Sequence, residues 1–163
     1  MNTGNIKMRG GGLTRASIAD QITTQISDEV TLSTYAVTWS PLENSDTGGT
    51  WAWVADSEQY NAGYYRNTSA ELSDYIEFEN YVEAGTYSMS VIYRSDSGGE
   101  TVSLYVNDTD TELDLDCNSE SVIKNLQTVL GTFTVSESGL TSFKFITGRG
   151  MLYLSQLTLR KLS

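Results

Sequence analysis

From Tyr35 onward, apolar residues recur at every second position in short runs, the period of a strand that buries one face. Ile76 and Phe78 point one way, Glu77 and Glu79 the other, and Glu83-Ala84-Gly85 then turns the chain. The next run sends Tyr87, Met89, Val91 and Tyr93 to the core and Ser88 and Ser90 outward. After Arg94-Ser95-Asp96-Ser97, Gly98-Gly99 reads as a hairpin turn, so Val102, Leu104 and Val106 are expected on the neighbouring strand. Later strands carry Leu113 and Leu115, Val129 to Val135, Phe143 and Phe145, and finally Leu152 to Leu159. Short strands separated by Gly, Asn, Asp and Ser turns, without intervening helices, specify an all-β antiparallel β-sandwich over residues 35–163. The single proline, Pro41, interrupts none of these runs.

Residues 1–34 follow a different rule. Gly4 and Gly10-Gly11-Gly12 make a flexible lead that is costly to order. Ile18, Ile22, Ile26 and Val30 then recur every four residues, a spacing that suits helix and strand alike. Thr14 or Ser17 can cap a helix, Asp20 falls in its first turn, and Ala16, Ala19, Gln21 and Gln25 favour it. Thr23, Thr24, Thr31 and Thr34 pull toward extended chain. The expectation is a short helix over 14–27, then extended chain, together forming an anchoring segment. Its narrow stripe reads equally as a partner or oligomer contact and as packing on its own domain. At 163 residues the chain has room for one domain plus this extension.

A formal charge of −11 argues against nucleic acid, whose phosphates are gripped by clustered Lys and Arg. The chain contains no histidine, which removes the usual general base and the commonest metal ligand. Catalysis by a carboxylate pair needs no histidine, but among 21 acidic residues some pair falls at a suitable distance by chance, so no catalytic residue is assigned. The one cysteine, Cys117, has no partner for a disulfide and no CxxC spacing for zinc, and reads as a small buried thiol. No cofactor is expected. No run approaches the ~20 apolar residues that span a bilayer, and Met1 to Gly12 lack the apolar stretch of a secretory signal, so synthesis in a cytoplasm is expected.

Ser73-Asp74-Tyr75-Ile76-Glu77-Phe78, followed by Val82-Glu83-Ala84-Gly85-Thr86-Tyr87-Ser88-Met89-Ser90-Val91-Ile92-Tyr93-Arg94, resembles the galactose-binding-like jelly roll of carbohydrate-binding modules. The likeness continues through Leu104-Tyr105-Val106-Asn107 into Leu152-Tyr153-Leu154-Ser155-Gln156-Leu157, covering roughly residues 50–160. It implies a jelly-roll topology and a glycan as possible ligand. Two positions depart from that pattern. Ser155 stands where such modules often carry an Asp that helps hold a structural calcium, and Gly148-Arg149-Gly150 stands where several place a sugar-contacting Asn. Neither calcium nor sugar binding therefore transfers directly, and no metal is assigned.

Candidate ligand-binding residues follow from aromatic placement. Trp51 and Trp53 lie two apart, so a strand presents both rings on one face, able to stack on a sugar or to pack in the core. Tyr60, Tyr64 and Tyr65 surround Gly63 in a second aromatic segment, the kind that serves recognition or plugs the end of a sandwich. Arg149 joins them from the loop before the last strand. Asp108-Thr109-Asp110-Thr111-Glu112-Leu113-Asp114-Leu115-Asp116 alternates oxygens as calcium would want, yet lacks the glycine and spacing of an EF-hand loop and reads as a solvated edge strand.

A glycine-rich lead, a short amphipathic segment and one sandwich are organised like an anchored display domain. In outline, bacteriophage head-decoration, fibre and tail-adaptor proteins are similar. The expectation is a non-catalytic virion structural or attachment protein on the virion surface. A homotrimer is plausible, with a larger assembly gripped through residues 1–34. The alternatives are a free-standing carbohydrate-binding module and, remotely, a carboxylate-dependent glycosidase.

Overall fold

The computed structural model describes residues 35–68 and 73–163. The helix expected over 14–27 and the stripe of Ile18, Ile22, Ile26 and Val30 lie outside the described residues.

Eleven strands follow one another among the described residues: β1 (Ala36–Trp39), β2 (Asp46–Gly48), β3 (Trp51–Ala55), β4 (Gly63–Asn67), β5 (Tyr75–Val82), β6 (Gly85–Ser95), β7 (Thr101–Val106), β8 (Thr109–Asp116), β9 (Ile123–Val135), β10 (Gly139–Ile146) and β11 (Tyr153–Lys161). They form two antiparallel sheets. A six-stranded sheet has the order β3-β4-β11-β6-β9, with β1 also pairing β11; a five-stranded sheet has the order β2-β5-β10-β7-β8. The chain is a jelly-roll β-sandwich, the sandwich as the alternation requires and the jelly roll as the resemblance implies.

Alternate residues of the two sheets meet between them. Ile76, Phe78, Tyr87, Met89, Val102, Leu104, Phe143 and Phe145 are all fully buried. An aromatic file crosses the core: Phe78 meets Trp39 at 5.9 Å between ring centroids, Trp39 meets Phe143 at 5.8 Å, Phe143 meets Phe133 at 6.1 Å and Phe133 meets Tyr87 at 6.2 Å. The first three contacts cross between the sheets and fasten one to the other, and the last joins β9 to its neighbour β6 within the six-stranded sheet. Cys117 is buried as expected, and burial pushes its thiol up to about 12, which keeps it protonated and unreactive near neutrality.

Two expectations need correction. Gly98-Gly99 does not close a hairpin, because β6 lies in the six-stranded sheet and β7 in the other. The turn crosses between sheets and is tied on both sides: Gly99 N–H donates to Asp96 O, Met151 N–H to Gly98 O, and Asp96 N–H to Cys117 O. Alternation also fails within β9. Phe133 and Val135 are buried while Val129 is 64% exposed, because the register against β6 slips between Met89 and Ser90 and one extra residue reverses the faces.

Candidate functional site

The hairpin of β3 and β4 positions most of the candidate aromatics. Trp51 lies opposite Asn67 and Trp53 opposite Tyr65, so these four share one face. Trp51 stacks on Tyr65 at 5.7 Å and 25°, and its indole N–H donates to Gly48 O at 2.8 Å. Both tryptophans and Tyr65 are half-buried.

Tyr64 points to the opposite face and is only 4% exposed, so its ring serves packing. It meets Tyr153 edge-on at 5.7 Å. The Arg94 guanidinium lies 5.0 Å from the Tyr64 ring and 5.5 Å from the Tyr153 ring, and donates to the Tyr64 hydroxyl at 3.0 Å. Asp96 closes the cluster, accepting from Arg94 at 2.8 Å, from the Tyr153 hydroxyl at 2.7 Å and from Gly98 N–H at 2.8 Å. Burial pushes the Asp96 carboxyl up, but these donors outweigh it and hold the group below its ordinary range.

A carboxyl depressed in the folded state stabilises the fold when ionised. That contribution is complete above the ordinary Asp pKa and is lost as pH falls through the lower folded value. Asp46, Asp56 and Glu83 are also lowered, mainly by donors from Tyr75, Lys124 and Lys161 respectively, and act with the same sign. The melting temperature is therefore expected to drop as acid titration passes below the ordinary carboxylate range, with a shallower drop in Asp96→Asn. A variant whose melting curve parallels the parent at every pH would reject the assignment to Asp96.

Tyr60 is 44% exposed and belongs to a strap, residues 56–62, that runs from β3 over the six-stranded sheet to its far edge. Gln59 donates to Ser155 Oγ on β11 at 3.0 Å and Asn61 to Ser155 O at 3.2 Å, while Lys124 on β9 pairs with Asp56 at 2.7 Å and Glu58 at 2.8 Å. Ser155 sits at a register shift of β11 and also donates to Gly63 O at 3.0 Å. The oxygens at Ser155 are thus neutral and already engaged, and no group of three or more His, Cys, Asp or Glu gathers as a metal site among the described residues. The donor set at Ser155 does not fit the structural calcium that modules of the resembled kind often hold at this position.

Arg149 is exposed on the loop before β11, at an end of the sandwich where several turns gather. Asn67, fully buried, binds them together. Its Nδ2 donates to Asp74 Oδ2 at 3.3 Å and Gly150 O at 3.1 Å, and its Oδ1 accepts from Leu152 N–H at 2.9 Å. Asp74 O in turn accepts from Thr147 N–H at 2.8 Å and from its hydroxyl at 3.2 Å, and Thr68 N–H donates to Thr50 O at 2.7 Å. Gly49 adopts φ +83°, and a Cβ there would meet the Asp74 carboxylate at 2.0 Å, so only glycine fits the turn. Thr50, Thr68 and Arg149, all exposed, adjoin these tied positions and form a rim at the end of the hairpin that carries Trp51. Tyr60 lies apart in the strap. Asp74 and Arg94 stand in the sequence only as members of the resembled motif and Asn67 only as a polar residue after Tyr65-Arg66, because their partners lie on other strands and loops that no local pattern reveals.

No family model matches the sequence, and no curated protein matches it. Solved structures do. A family 35 carbohydrate-binding module from Clostridium thermocellum superposes with a TM-score of 0.59 and 16% identity over 76% of this chain and 98% of that one. The CBM35 of Abf62 from Cellvibrio japonicus gives 0.60 and 10% identity over 77% and 92%. The Podospora anserina GH26-CBM35 β-(1,4)-mannanase gives 0.60 and 17%, and there this chain spans 28% of the enzyme's length. Identities this low establish the fold.

Proposed function

We propose that this chain is a non-catalytic glycan-binding module that meets its ligand at the end of the sandwich carrying Arg149. The observation behind this reading is that the sandwich matches structures of carbohydrate-binding modules over nearly their whole length. Function on such a fold belongs to the site and not to the architecture. The site has the required parts. A loop cluster pinned by Asn67 presents Thr50, Thr68 and Arg149 as hydrogen-bonding groups, and Trp51, Trp53 and Tyr65 supply aromatic surface against which sugar C–H groups can pack.

Native affinity gels containing β-1,4-mannan, β-1,3-galactan, xylan or xanthan test the reading. At least one polymer should retard the protein, and Trp53→Ala and Arg149→Ala should each weaken that retention about tenfold. Passage through every gel unretarded would overturn glycan binding, and release of reducing sugar from any of them would overturn the non-catalytic part. A virion-surface role and a trimeric assembly rest on residues 1–34 and on outline alone, and no observation among the described residues carries them. No helix among those residues is long and apolar enough to cross a membrane.

A further inference from the structure

The outer face of the five-stranded sheet carries a second arrangement of chemistry. Two rows of side chains cross it in register. One runs Asp46, Glu77, Lys144, Tyr105, Asp110; the next runs Gly48, Tyr75, Ile146, Ser103, Asp114. Lys144 Nζ lies 5.0 Å from the Tyr75 ring centroid, 3.5 Å from Glu77 and 2.7 Å from Asp108. The Tyr75 ring lies close across Gly48, where a Cβ would meet it at 2.3 Å, and its hydroxyl donates to Asp46 at 2.7 Å. This half of the face shows an ammonium group seated on a tyrosine ring between carboxylates.

The other half carries the same residue types around Tyr105, which has Lys144 beside it in register but, among the described residues, no cationic group seated on its ring. Tyr105 stands beside Asp110 in register and is half-buried, with its neighbour Ser103 donating to Asp114 at 2.8 Å. Asp110 and Asp114 are exposed, and among the described residues neither has a cationic side chain within ion-pair distance. A tyrosine face flanked by carboxylates attracts a cation, and a chain with a formal charge of −11 adds long-range attraction of the same sign.

We propose that Tyr105, Asp110 and Asp114 bind an amino-sugar polysaccharide, with a sugar ring packed on Tyr105 and its ammonium group held by the two carboxylates. An amino sugar offers both groups the seat calls for: a C–H face for the ring and a positive charge for Asp110 and Asp114. The proposal rests on the glycan-binding reading for its ligand class, but uses residues of the opposite sheet from Trp51, Trp53 and Tyr65.

Calorimetric titration of the full chain with a chitosan hexamer, in a mildly acidic buffer that keeps the sugar amines charged, tests it. Binding is expected, with the N-acetylated hexamer at least tenfold weaker. Tyr105→Ala leaves the net charge unchanged, so a general attraction between polyanion and polycation would survive it; the seat predicts about tenfold weaker binding, and near-parental binding for Tyr105→Phe. Asp114→Asn, at an exposed edge position, should also weaken binding if the alanine variant fails to fold. Equal binding of the two hexamers, no effect of Tyr105→Ala in a folded protein, or equal competition by poly-lysine would each overturn the proposal. If neutral polymers retard the protein while the chitosan hexamer does not bind, this seat fails and the loop-end reading stands. If nothing binds in either experiment, both fail.

Discussion

Phe143→Ala should cost about 3–5 kcal/mol of unfolding free energy, the range for truncating a fully buried phenylalanine. The side chain is inaccessible to solvent and lies between Trp39 and Phe133, on two strands of the facing sheet. Removing it leaves a hole at the middle of the aromatic file and loosens the contact that fastens the sheets together. A domain of this kind has about 5–15 kcal/mol in total, so the variant should unfold at much lower denaturant concentration and approach instability at physiological temperature. Leu140→Ala on the same strand is the control. Leu140 is 66% exposed and should change stability by no more than about 0.5 kcal/mol. Chemical denaturation of both proteins gives the comparison, and similar midpoints would mean that the sheets are not fastened at Phe143.

Asn67→Ala should be nearly as damaging, by a different mechanism. Asn67 is 0% exposed, and its loss strips a partner from the Asp74 carboxylate, the Gly150 carbonyl and the Leu152 amide. Buried polar groups left unpaired cost about 1–3 kcal/mol each, and relaxation of the loops should hold the total to about 3 kcal/mol. Asn67→Asp separates the hydrogen bonds from simple filling of space. It keeps an acceptor for Leu152 but sets a carboxylate against Asp74 in a buried site, so it should be more stable in mild acid than at neutral pH. Glycan retention should fall with stability in both variants, because the rim carrying Arg149 is tied through this side chain. Full stability in Asn67→Ala, read from thermal melting, would remove Asn67 from the centre of the loop cluster.

The sandwich could be read from the sequence because one physical signal, the two-residue period, determines which side chains leave water. Ile76, Phe78, Met89, Val91, Leu104 and Phe145 were placed by that signal, and all are buried. The signal is local, and it failed wherever the decisive neighbour is distant. Trp39 falls in the same rhythm as Tyr35 and Val37, but a period of two does not reveal that it meets both Phe78 and Phe143 at the centre of the core. Gly98-Gly99 has the composition of a hairpin turn, and composition does not reveal which sheet the next strand joins. Tyr64 and Tyr65 are adjacent and look alike as letters, yet β4 sends one to the Arg94 cluster and the other to Trp51. Asn67 reads from its letter as a hydrogen-bond donor beside Tyr64 and Tyr65, whereas its amide is buried and engaged by Asp74, Gly150 and Leu152.

The strand order also determines how the chain can acquire its fold. β3–β4 and β7–β8 pair with immediate neighbours, but β11, the last strand, lies within the six-stranded sheet between β6 on one side and β4 with β1 on the other. Ala36 is matched to Arg160 across almost the whole domain. On a ribosome, the earlier strands of that sheet would emerge with their central partner still unmade. Closing such distant pairs makes folding slow, in the range of milliseconds to seconds for sandwiches of this kind. Clipping the last strand should therefore abolish the native state rather than trim it, leaving a collapsed chain with open strand edges as prey for chaperones and proteases.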